Sequence, residues 1–470
     1  MKDILFDLEA ELKDILLNLD QIIFELVMEF GRECYKKTLE MLDKVLAYCR
    51  DKQLKIEHRR GVWYQTRLGT VRIKRRQYLD AKGKRCCLLD SVMGMEKNNH
   101  TTIAVQKLAL ELASYMSYRR SAEVLQKTSA INLAHQTIWR LVGKIADAYI
   151  AEEEQKLKKF METGELPQSE GKPVSRLLVE ADGVILPLQR EKEHRTEVKL
   201  GICYEGWEKV GKDRYRTVNK IACSNIAGED VFWSGMTLKL HQTYDLAGVK
   251  ETIVGGDGAG WVKAGAEYTG GRFQLDGYHL YRELCTAFGR NNRIKREVWE
   301  ACERGEVDRA LEIISEAMKP ARGESALKMA RAYRYLQENR EGIVDYRLGL
   351  GGVDYILRRT GAIEGNIDKL IVRRMKNQGM SWTIKGIKRL LCVRFMVLEQ
   401  KLASWIATEK PPQKIQSLST LPRKKVQRIV TNLSTREADE WLQARLPALY
   451  GPHASRPWVK VLKSLSEAYA

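Results

Sequence analysis

Three acidic residues stand in settings that are unusual for acids. Asp182 lies inside the apolar segment LLVEADGVILPL, Asp257 follows the apolar start of TIVGGDGAGWVK, and Glu364 opens the helical segment GAIEGNIDKL. An ionised carboxylate within an apolar strand is costly unless it is paired or binds a metal ion. Carboxylates are the ligands of Mg²⁺, and two such ions about 4 Å apart can cleave phosphodiester bonds. The three acids therefore predict metal-dependent phosphodiester chemistry.

Each acid also has a purely structural explanation. Asp182 could be a buried acid that backbone N–H groups or an arginine satisfy. Asp257 could form an ordinary turn or helix cap among its glycines, and GGDGAG could be a weak phosphate-binding loop. Glu364 would be favoured by the helix dipole alone. The chain has no P-loop motif, which argues against a nucleoside triphosphatase.

The elements that must position these acids belong to a mixed α/β region. Four segments have the composition of strands: RLLVEADGVILPL, TEVKLGICYEGWE, YRTVNKIACSN and ETIVGGDG. A helix is expected at about 229–246 between the third and fourth, and GGRFQLDGYHLYRELC adds a short fifth strand before another helix. Residues 280–360 lose strand character and become helical and charged. We therefore expect a catalytic domain made of residues 175–279 and 361–400, interrupted by a helical insertion at 280–360.

The charge balance indicates the partner. Among 470 residues, 80 Lys and Arg face 61 Asp and Glu, for a net charge of +19. This excess favours a polyanion, with nucleic acid ahead of an anionic membrane surface. No run of about 18 apolar residues is present, so the sequence predicts no membrane span and a cytoplasmic protein. The nine cysteines are scattered and are expected to be reduced thiols.

A strongly basic segment occupies much of residues 55–100. Between Lys55 and Arg85 there are 11 basic and two acidic side chains, about +9 in sum, and apolar residues alternate on both sides of Gly69. This pattern predicts a β-hairpin that contacts DNA phosphates with aromatic support, although a solvated sheet face is the alternative. The predicted DNA contacts are Arg59, Arg60, Lys74, Arg75 and Arg76.

Residues 101–160 have the pattern of a helix-turn-helix. A helix around Ser121–Lys127 is followed by a polar turn and by a second helix that starts near Ala134. Gln136, Thr137 and Arg140 of this second helix are predicted to contact DNA. A plain helical bundle is the alternative, and a domain boundary is expected near 160–175, where Gly and Pro appear.

The first 54 residues form a helical region by periodicity. This region either packs against the rest of the chain or dimerises through a short coiled coil. Apolar residues recur there at steps of three or four: Leu5, Leu8, Leu12, Ile15, Leu19, Ile22 and Leu26.

Taken in order, these motifs resemble those of a known enzyme group. A strand Asp in ADGVIL, an Asp in GGDGAGWVK, a DGYH element, a helical insertion and a Glu in GAIEGNIDKL resemble the Mutator-like DDE transposases. Within that group the chain is most similar to a bacterial insertion-sequence family long known only as an uncharacterised protein family. The resemblance implies an RNase H-like fold in which Asp182, Asp257 and Glu364 together bind two Mg²⁺ or Mn²⁺ ions.

It also implies partners and a place of action. The expected substrates are double-stranded DNA at the terminal repeats of the element and target DNA, which the enzyme would cleave and join as a homo-oligomer. It would work in the bacterial cytoplasm, in association with the nucleoid. A non-catalytic DNA-binding regulator on a degenerate nuclease fold, or another RNase H-like nuclease, would share many of these features.

Further residues take roles from the same resemblance. Asp276 and His279 match a DxxH element next to the catalytic acids, where His279 would bind a phosphate or support a metal ligand. Alternatively, Asp276 caps the following helix and His279 packs beneath it. Trp299, in the insertion, would stack on a displaced base or belong to a core.

The carboxyl-terminal part, including the basic region 401–470, adds to the charge argument. Between Leu370 and Val430 there are 14 basic and two acidic residues, about +12 in sum. Charge placed next to the segment of Glu364 favours contact with the DNA backbone, although a solvated face could account for part of it. The predicted contacts here are Arg373, Arg374 and Lys376.

Overall fold

The computed structural model describes residues 16–95, 100–166, 171–290, 292–348, 356–377 and 379–409, together with Ser455 and Lys460. The fold is mixed α/β with several sheets. The chain divides into two compact units, one of Met1–Ala113, Ser117–Leu141 and Ala403–Ala470, the other of Ser114–Met116 and Val142–Leu402. The division between Leu141 and Val142 falls inside helix His135–Thr163. It therefore lies before the boundary predicted near 160–175.

The first unit combines helices with a small antiparallel sheet. Its core packs one face of the predicted hairpin against the first helix, with Tyr64, Ile73 and Tyr78 fully buried beside Leu46. The hairpin turns at Gly69 as predicted, where φ is +99° and a Cβ atom would meet the Ala130 carbonyl oxygen at 3.1 Å. Its elements are α1 (Leu19–Tyr48), β1 (Lys55–Thr66), β2 (Gly69–Leu79), β3 (Arg85–Cys86), α2 (Leu88–Val92), α3 (Ile103–Tyr115) and α4 (Tyr118–Ser129).

Two helices occupy the predicted helix-turn-helix. Helix α4 is capped by the Ser117 hydroxyl and ends at Ala130, which has a φ of 50°, and α5 (His135–Thr163) follows. The DNA-binding role of this pair stays a prediction. The apolar residues Leu5, Leu8, Leu12 and Ile15 lie outside the described residues. The possible dimerisation of residues 1–54 also stays a prediction.

The second unit is built around a five-stranded sheet. The strand order is β12, β11, β5, β6, β9; the pairs β5/β6 and β6/β9 are antiparallel, whereas β5/β11 and β11/β12 are parallel. Its elements are β4 (Lys172–Pro173), β5 (Arg176–Pro187), β6 (Arg195–Tyr204), β7 (Trp207–Gly211), β8 (Arg214–Thr217), β9 (Ile221–Asn225), α6 (Glu229–Thr243), β10 (Tyr244–Asp245), β11 (Glu251–Gly256), α7 (Gly260–Thr269) and β12 (Arg272–Leu275).

Helices cover both faces of this sheet. Because side chains alternate along a strand, the even-numbered apolar residues of β5, such as Leu178 and Val184, face one core. The odd-numbered residues Leu177 and Val179 face a second core that contains Phe232 and Trp233 of α6. Asp182 therefore points to the same side as Leu178 and Val184, which is the side packed against the helices that follow the insertion.

A separate hairpin interrupts two of the predicted strands. The segments TEVKLGICYEGWE and YRTVNKIACSN each divide into a sheet strand and a hairpin strand, giving the antiparallel pair β7–β8. The breaks occur near Gly206, with φ of 156°, and Asn219, with φ of 48°. The single strands predicted for these two segments are thus corrected.

The insertion is helical, as its sequence predicted. Leu284, Val298 and Leu336 belong to an apolar core of its own. Its described helices are α8 (Gly277–Phe288), α9 (Arg293–Glu303), α10 (Val307–Met318), α11 (Gly323–Glu338) and α12 (Arg340–Ile343).

The chain then returns to the sheet. A short helix, α13 (Ala362–Ile367), passes into a π-helical segment (Asp368–Lys376), followed by α14 (Ile384–Leu398) and α15 (Leu402–Glu409). The buried Arg394 donates hydrogen bonds to the carbonyl oxygens of Lys369 and Leu370 within the π-helical segment. None of the helices in the described ranges is both long and apolar enough to cross a membrane.

Candidate metal centre

The sheet register brings three aspartates to one edge. In the parallel pairs, Gly255 lies opposite Glu180 and Gly256 lies opposite Leu275. Asp257 and Asp276 each follow directly after these positions, and Asp182 lies two residues beyond Glu180 on the central strand. The Asp276 N–H also donates to the Gly256 carbonyl at 2.8 Å. The carboxyl ends of the parallel strands β11 and β12 thus place Asp257 and Asp276 side by side, next to Asp182 on β5.

Glu180 connects the central strand to the helix that carries Glu364. It is 1% exposed, and its Oε2 accepts hydrogen bonds from the Gly361 and Ile363 backbone N–H groups, both at 2.9 Å. Its Oε1 accepts a hydrogen bond from the Tyr204 hydroxyl. Glu180 and Asp182 share one face of β5. Glu180, which binds the start of α13, therefore lies next to Asp182, which is grouped with Glu364 of the same helix.

Three side chains form a group that could hold a metal ion. Asp182, His279 and Glu364 each offer a ligand atom, and these atoms lie within 4.8 Å of one another. Asp182 and His279 are partly buried, whereas Glu364 is exposed. Asp257, the other predicted member of the triad, is outside this group of three but lies close enough for its charge to raise the pKa of Asp182.

Burial and neighbouring charges raise the pKa values of Asp182, Glu180 and Asp276. Burial raises the pKa of Asp182 to about 6, and the charges of Asp257 and Glu364 add to this shift, while the Gly183 N–H and His279 oppose it. Burial likewise raises the pKa of Glu180 to about 7 despite its hydrogen bonds. For Asp276, burial raises the pKa, and Glu364 and Asp257 contribute. Concentrated carboxylates of this kind favour a bound cation.

Asp276 both caps a helix and faces the acidic cluster. Its Oδ1 accepts a hydrogen bond from the Tyr278 N–H at 2.9 Å, which is the capping contact expected at the start of α8. Its Oδ2 is buried and has no hydrogen-bond partner among the residues that the structure describes. The structural alternative given above for Asp276 is therefore present, and it leaves one carboxylate oxygen for a further partner.

The surroundings of His279 suit a hydrogen-bond donor. Arg282 Nη2 lies 3.2 Å from His279 Nδ1, and since a guanidinium only donates, Nδ1 must accept. A neutral His279 then carries its proton on Nε2. A metal ligand needs an unprotonated ring nitrogen, so this contact favours donation from Nε2 over ligation.

The loop of Asp257 is held by the insertion. Asp257 Oδ1 accepts a hydrogen bond from the Ala259 N–H at 2.9 Å, and its carbonyl accepts one from the Tyr335 hydroxyl of α11 at 2.7 Å. Gly258 has a φ of +90°, and a Cβ atom there would lie 2.3 Å from Asn339 Oδ1. Only glycine fits this position, because both the backbone conformation and the space exclude a side chain.

The donor set fits a hard divalent ion. Asp182 and Glu364 offer the oxygen ligands that Mg²⁺ and Mn²⁺ take, and one or two carboxylates with water and substrate oxygens are sufficient for Mg²⁺. Asp257 and the unpartnered Asp276 Oδ2 lie beside them. The residues present are therefore compatible with the predicted Mg²⁺ or Mn²⁺.

Most of the residues predicted to contact DNA are exposed. In the first unit, Arg59, Arg60, Lys74, Gln136 and Arg140 are exposed and Thr137 is half-buried. In the second unit, Arg373 and Lys376 are exposed, with Arg373 Nε 2.7 Å from Asp368 Oδ2.

Three arginines among these predictions have structural roles instead. Arg75 is buried and pairs with Asp90 at 2.6 Å, and Arg76 pairs with the buried Asp43 at 2.5 Å. Arg374 is buried with its guanidinium over the Trp382 ring. Arg75 and Arg374 are thus buried, and their charged ends are enclosed by protein, which argues against their direct contact with DNA.

Trp299 lies between the insertion and the segment that leads to Glu364. It packs against the insertion core, and the Arg359 guanidinium lies 5.5 Å from its ring centroid. Arg359 also pairs with Glu303 at 2.6 Å. Its stacking on a displaced base stays a prediction.

Two contacts that organise the centre were not predicted. Glu180 stands two residues before Asp182 in VEAD, and its position on the same strand face could have indicated a second buried acid. The bond from Tyr335 to the Asp257 carbonyl has no signal in the sequence, because it depends on how the insertion packs.

Comparison with known proteins places the chain in a family. Residues 13–410 match the family described as Uncharacterised protein family (UPF0236). A UPF0236 protein of Caldanaerobacter subterraneus subsp. tengcongensis, whose name joins eleven locus designations, is 25% identical over 378 residues, which cover 79% of this chain and 75% of the relative. The UPF0236 protein in the vanSb 3′ region of Streptococcus gallolyticus is 25% identical over 340 residues, or 69% of each chain. Since the family match covers most of its length, this chain belongs to the uncharacterised protein family UPF0236.

Proposed function

We propose that this protein is the DNA transposase of an insertion sequence, an enzyme that cleaves DNA at the ends of the element and transfers the strands. The observation that carries the proposal is the meeting of Asp182, His279 and Glu364 within 4.8 Å, beside Asp257, at one edge of a mixed sheet. These residues come from widely separated parts of a chain that carries a net charge of +19.

The sheet supports an RNase H-like catalytic domain. Three antiparallel strands, β9, β6 and β5, continue into two parallel strands, β11 and β12, on the other side of β5. A catalytic acid on the first of these strands in the chain, a second after the fourth and a third on a late helix is the arrangement that the resemblance implies. Helices on both faces are consistent with it.

The names of the relatives support a mobile gene. One relative from a single genome carries eleven locus designations and another carries four. A protein encoded at many loci of one genome is what multiplication of a transposable element would produce. This observation favours a transposase over a repair nuclease or a single-copy regulator.

The residues would divide the work as follows. Asp182, Asp257 and Glu364 would hold two Mg²⁺ or Mn²⁺ ions, which when bound would activate the attacking oxygen and stabilise the leaving one. His279 would donate its Nε2 proton in a hydrogen bond to a phosphate oxygen of the DNA. Glu180 would keep Glu364 in register with Asp182, and exposed arginines and lysines would bind the DNA backbone.

The test is strand cleavage by the purified protein. DNA that carries the ends of the element encoding the gene is incubated with Mg²⁺ or Mn²⁺, and the products are sequenced. We expect nicks at the element ends and joined products with the wild type. Asp182→Asn should abolish strand cleavage, since a charged metal ligand is lost, while DNA affinity changes little.

Glu229→Gln, which removes an exposed acid at the start of α6, is the control and should cleave as the wild type does. DNA binding without any metal-dependent cleavage would favour a regulator. Cleavage of branched DNA without joining would favour another nuclease. Normal cleavage by Asp182→Asn would contradict the assignment of the centre.

A further inference from the structure

The hairpin β7–β8 borders an open cleft next to the metal centre. The cleft has a volume of about 640 Å³, and Trp207 and Tyr215 of the hairpin face Arg358, Thr360 and Gly361 across it. Trp207 and Ile356 pair through two backbone hydrogen bonds of 3.1 and 3.2 Å. The hairpin and the segment that leads to α13 are thus joined at one end of the cleft.

Arg358 is an exposed cation held by aromatic rings. Its guanidinium lies 3.9 Å from the Tyr215 ring centroid and 5.6 Å from that of Trp207. In the part of the chain that the structure describes, Arg358 forms no ion pair with a carboxylate. Arg214, also exposed and lining the cleft, likewise forms no ion pair in the described ranges, and the exposed Asp213 lines the cleft beside it. Two cations are therefore free to bind an anion.

The neighbouring arginines Arg359 and Arg216, in contrast to Arg358 and Arg214, are paired with acids. Arg359 pairs with Glu303 at 2.6 Å, and Arg216 on the hairpin pairs with Glu208 at 2.5 Å. Trp207, which lines the cleft, has its indole Nε1 buried without an acceptor among the described residues. Free guanidinium groups beside aromatic rings match the phosphates and bases of a nucleic-acid strand.

The cleft leads to the metal centre. Gly361 lines it, and the Gly361 N–H is bound by Glu180. Glu364 lies three residues further on, about 4.5 Å along a helix axis at the usual rise. A strand that occupies the cleft would therefore lie beside the start of the helix that carries Glu364.

We propose that this cleft binds one unpaired DNA strand as it approaches the metal centre, with Arg358 and Arg214 on its phosphates and Tyr215 and Trp207 beside its bases. The inference rests on the proposed function, since it assigns the DNA strand a path to the catalytic acids. It adds a binding site on the hairpin, outside the carboxylate cluster.

The test compares two arginines of equal charge. Binding of fluorescein-labelled DNA, either forked with an unpaired end or blunt, is measured by fluorescence anisotropy in EDTA so that cleavage does not contribute. Arg358→Ala should weaken binding of the forked DNA at least about fivefold, as loss of a stacked contact does, and blunt DNA less than twofold. Arg358→Lys, which keeps the charge but not the planar group, should lie between.

Arg216→Ala is the matched control, because Arg216 is on the same hairpin but is paired with Glu208 and does not line the cleft. Equal losses from Arg358→Ala and Arg216→Ala, or equal losses on forked and blunt DNA, would overturn the strand site while leaving the transposase proposal intact. A wild-type protein that binds no DNA would overturn both. Circular dichroism and thermal melting of each variant establish that it is folded.

Discussion

At the scale of single residues, Glu180 has the largest structural consequence in the centre. Its carboxylate accepts hydrogen bonds from the N–H groups of Gly361 and Ile363, which lie 181 and 183 residues further along the chain. Burying a carboxyl group costs free energy, and the three hydrogen bonds that Glu180 accepts offset part of that cost. Its effect on function is indirect, through the position of Glu364.

Glu180→Gln tests this positioning role. The variant keeps the shape, but its amide N–H₂ must face either the Tyr204 hydroxyl or the N–H groups of α13. We expect the free energy of unfolding to fall by about 1–3 kcal/mol, measured by urea denaturation. We also expect weaker Mn²⁺ binding by isothermal titration calorimetry, because Glu364 is less well fixed.

Glu267→Gln, at an exposed site on α7, serves as the control for loss of charge. Loss of stability with unchanged Mn²⁺ affinity would mean that Glu180 supports the fold and not the centre. Unchanged stability and affinity would show that the three hydrogen bonds do not contribute.

The sequence indicated the acids of the centre but not their supports. Asp182 was recognisable because an acid within an apolar strand needs a partner, and Asp276 and His279 came from the resemblance. The role of Glu180 depends on which backbone meets β5, a contact across more than 180 residues. Charge counts likewise could not show that Arg75 and Arg374 are enclosed, since burial depends on tertiary packing.

At the scale of elements, an ion-pair cluster joins α14, which packs on one face of the sheet, to α6, which packs on the other. Glu399, at the end of α14, is 4% exposed and lies 2.5 Å from Lys239 of α6 and 3.0 Å from Lys401. Its Oε1 also accepts the Ala222 N–H of β9 at 3.2 Å. Burial opposes ionisation of Glu399, but the attraction of Lys239 and Lys401 prevails and lowers its pKa.

Glu399→Gln should destabilise the second unit by about 3 kcal/mol at pH 7, because the partly buried Lys239 loses its counter-charge. A lowered pKa in the folded state means that the stabilisation is present above the unfolded value of about 4.3 and is lost as the pH falls through the folded value. The difference in melting temperature between wild type and variant should therefore shrink below about pH 4.

Glu312→Gln provides the contrast, since its pair with Arg309 is mostly exposed and should contribute less than about 1 kcal/mol. A difference between wild type and Glu399→Gln that does not change with pH would contradict the ionic explanation.

The elements themselves were partly predictable. Apolar alternation predicted the strands around Asp182, and the helical texture of 280–360 predicted the insertion. The sequence did not separate the hairpin β7–β8 from the sheet strands, because the pattern of alternation continues across Gly206 and Asn219, where the backbone turns. The π-helical form of Asp368–Lys376 also has no simple signature in composition.

At the scale of the whole molecule, the net charge of +19 dominates the long-range electrostatics. A protein that covers several DNA phosphates releases the counterions bound to them, so its affinity depends strongly on salt. We expect DNA affinity in EDTA to fall about 1,000-fold or more between 50 and 200 mM salt, as for proteins that contact about six or more phosphates.

Fluorescence anisotropy across this salt range measures the slope directly. The same titration with a fluorescently labelled, uncharged polymer in place of DNA gives the background. An affinity that is independent of salt would contradict a substrate held by its backbone, whatever the centre does.

The insertion has a consequence for how the protein can be altered. Its helices share an apolar core of their own, and the chain re-enters the sheet at Gly361, whose position Glu180 fixes. The exposed connection between α10 and α11, at Lys319–Arg322, is remote in sequence from both points. A tag or fluorophore placed in this connection would leave the spacing of Asp182, Asp257 and Glu364 unchanged. The insertion therefore also provides a site for labelling the protein.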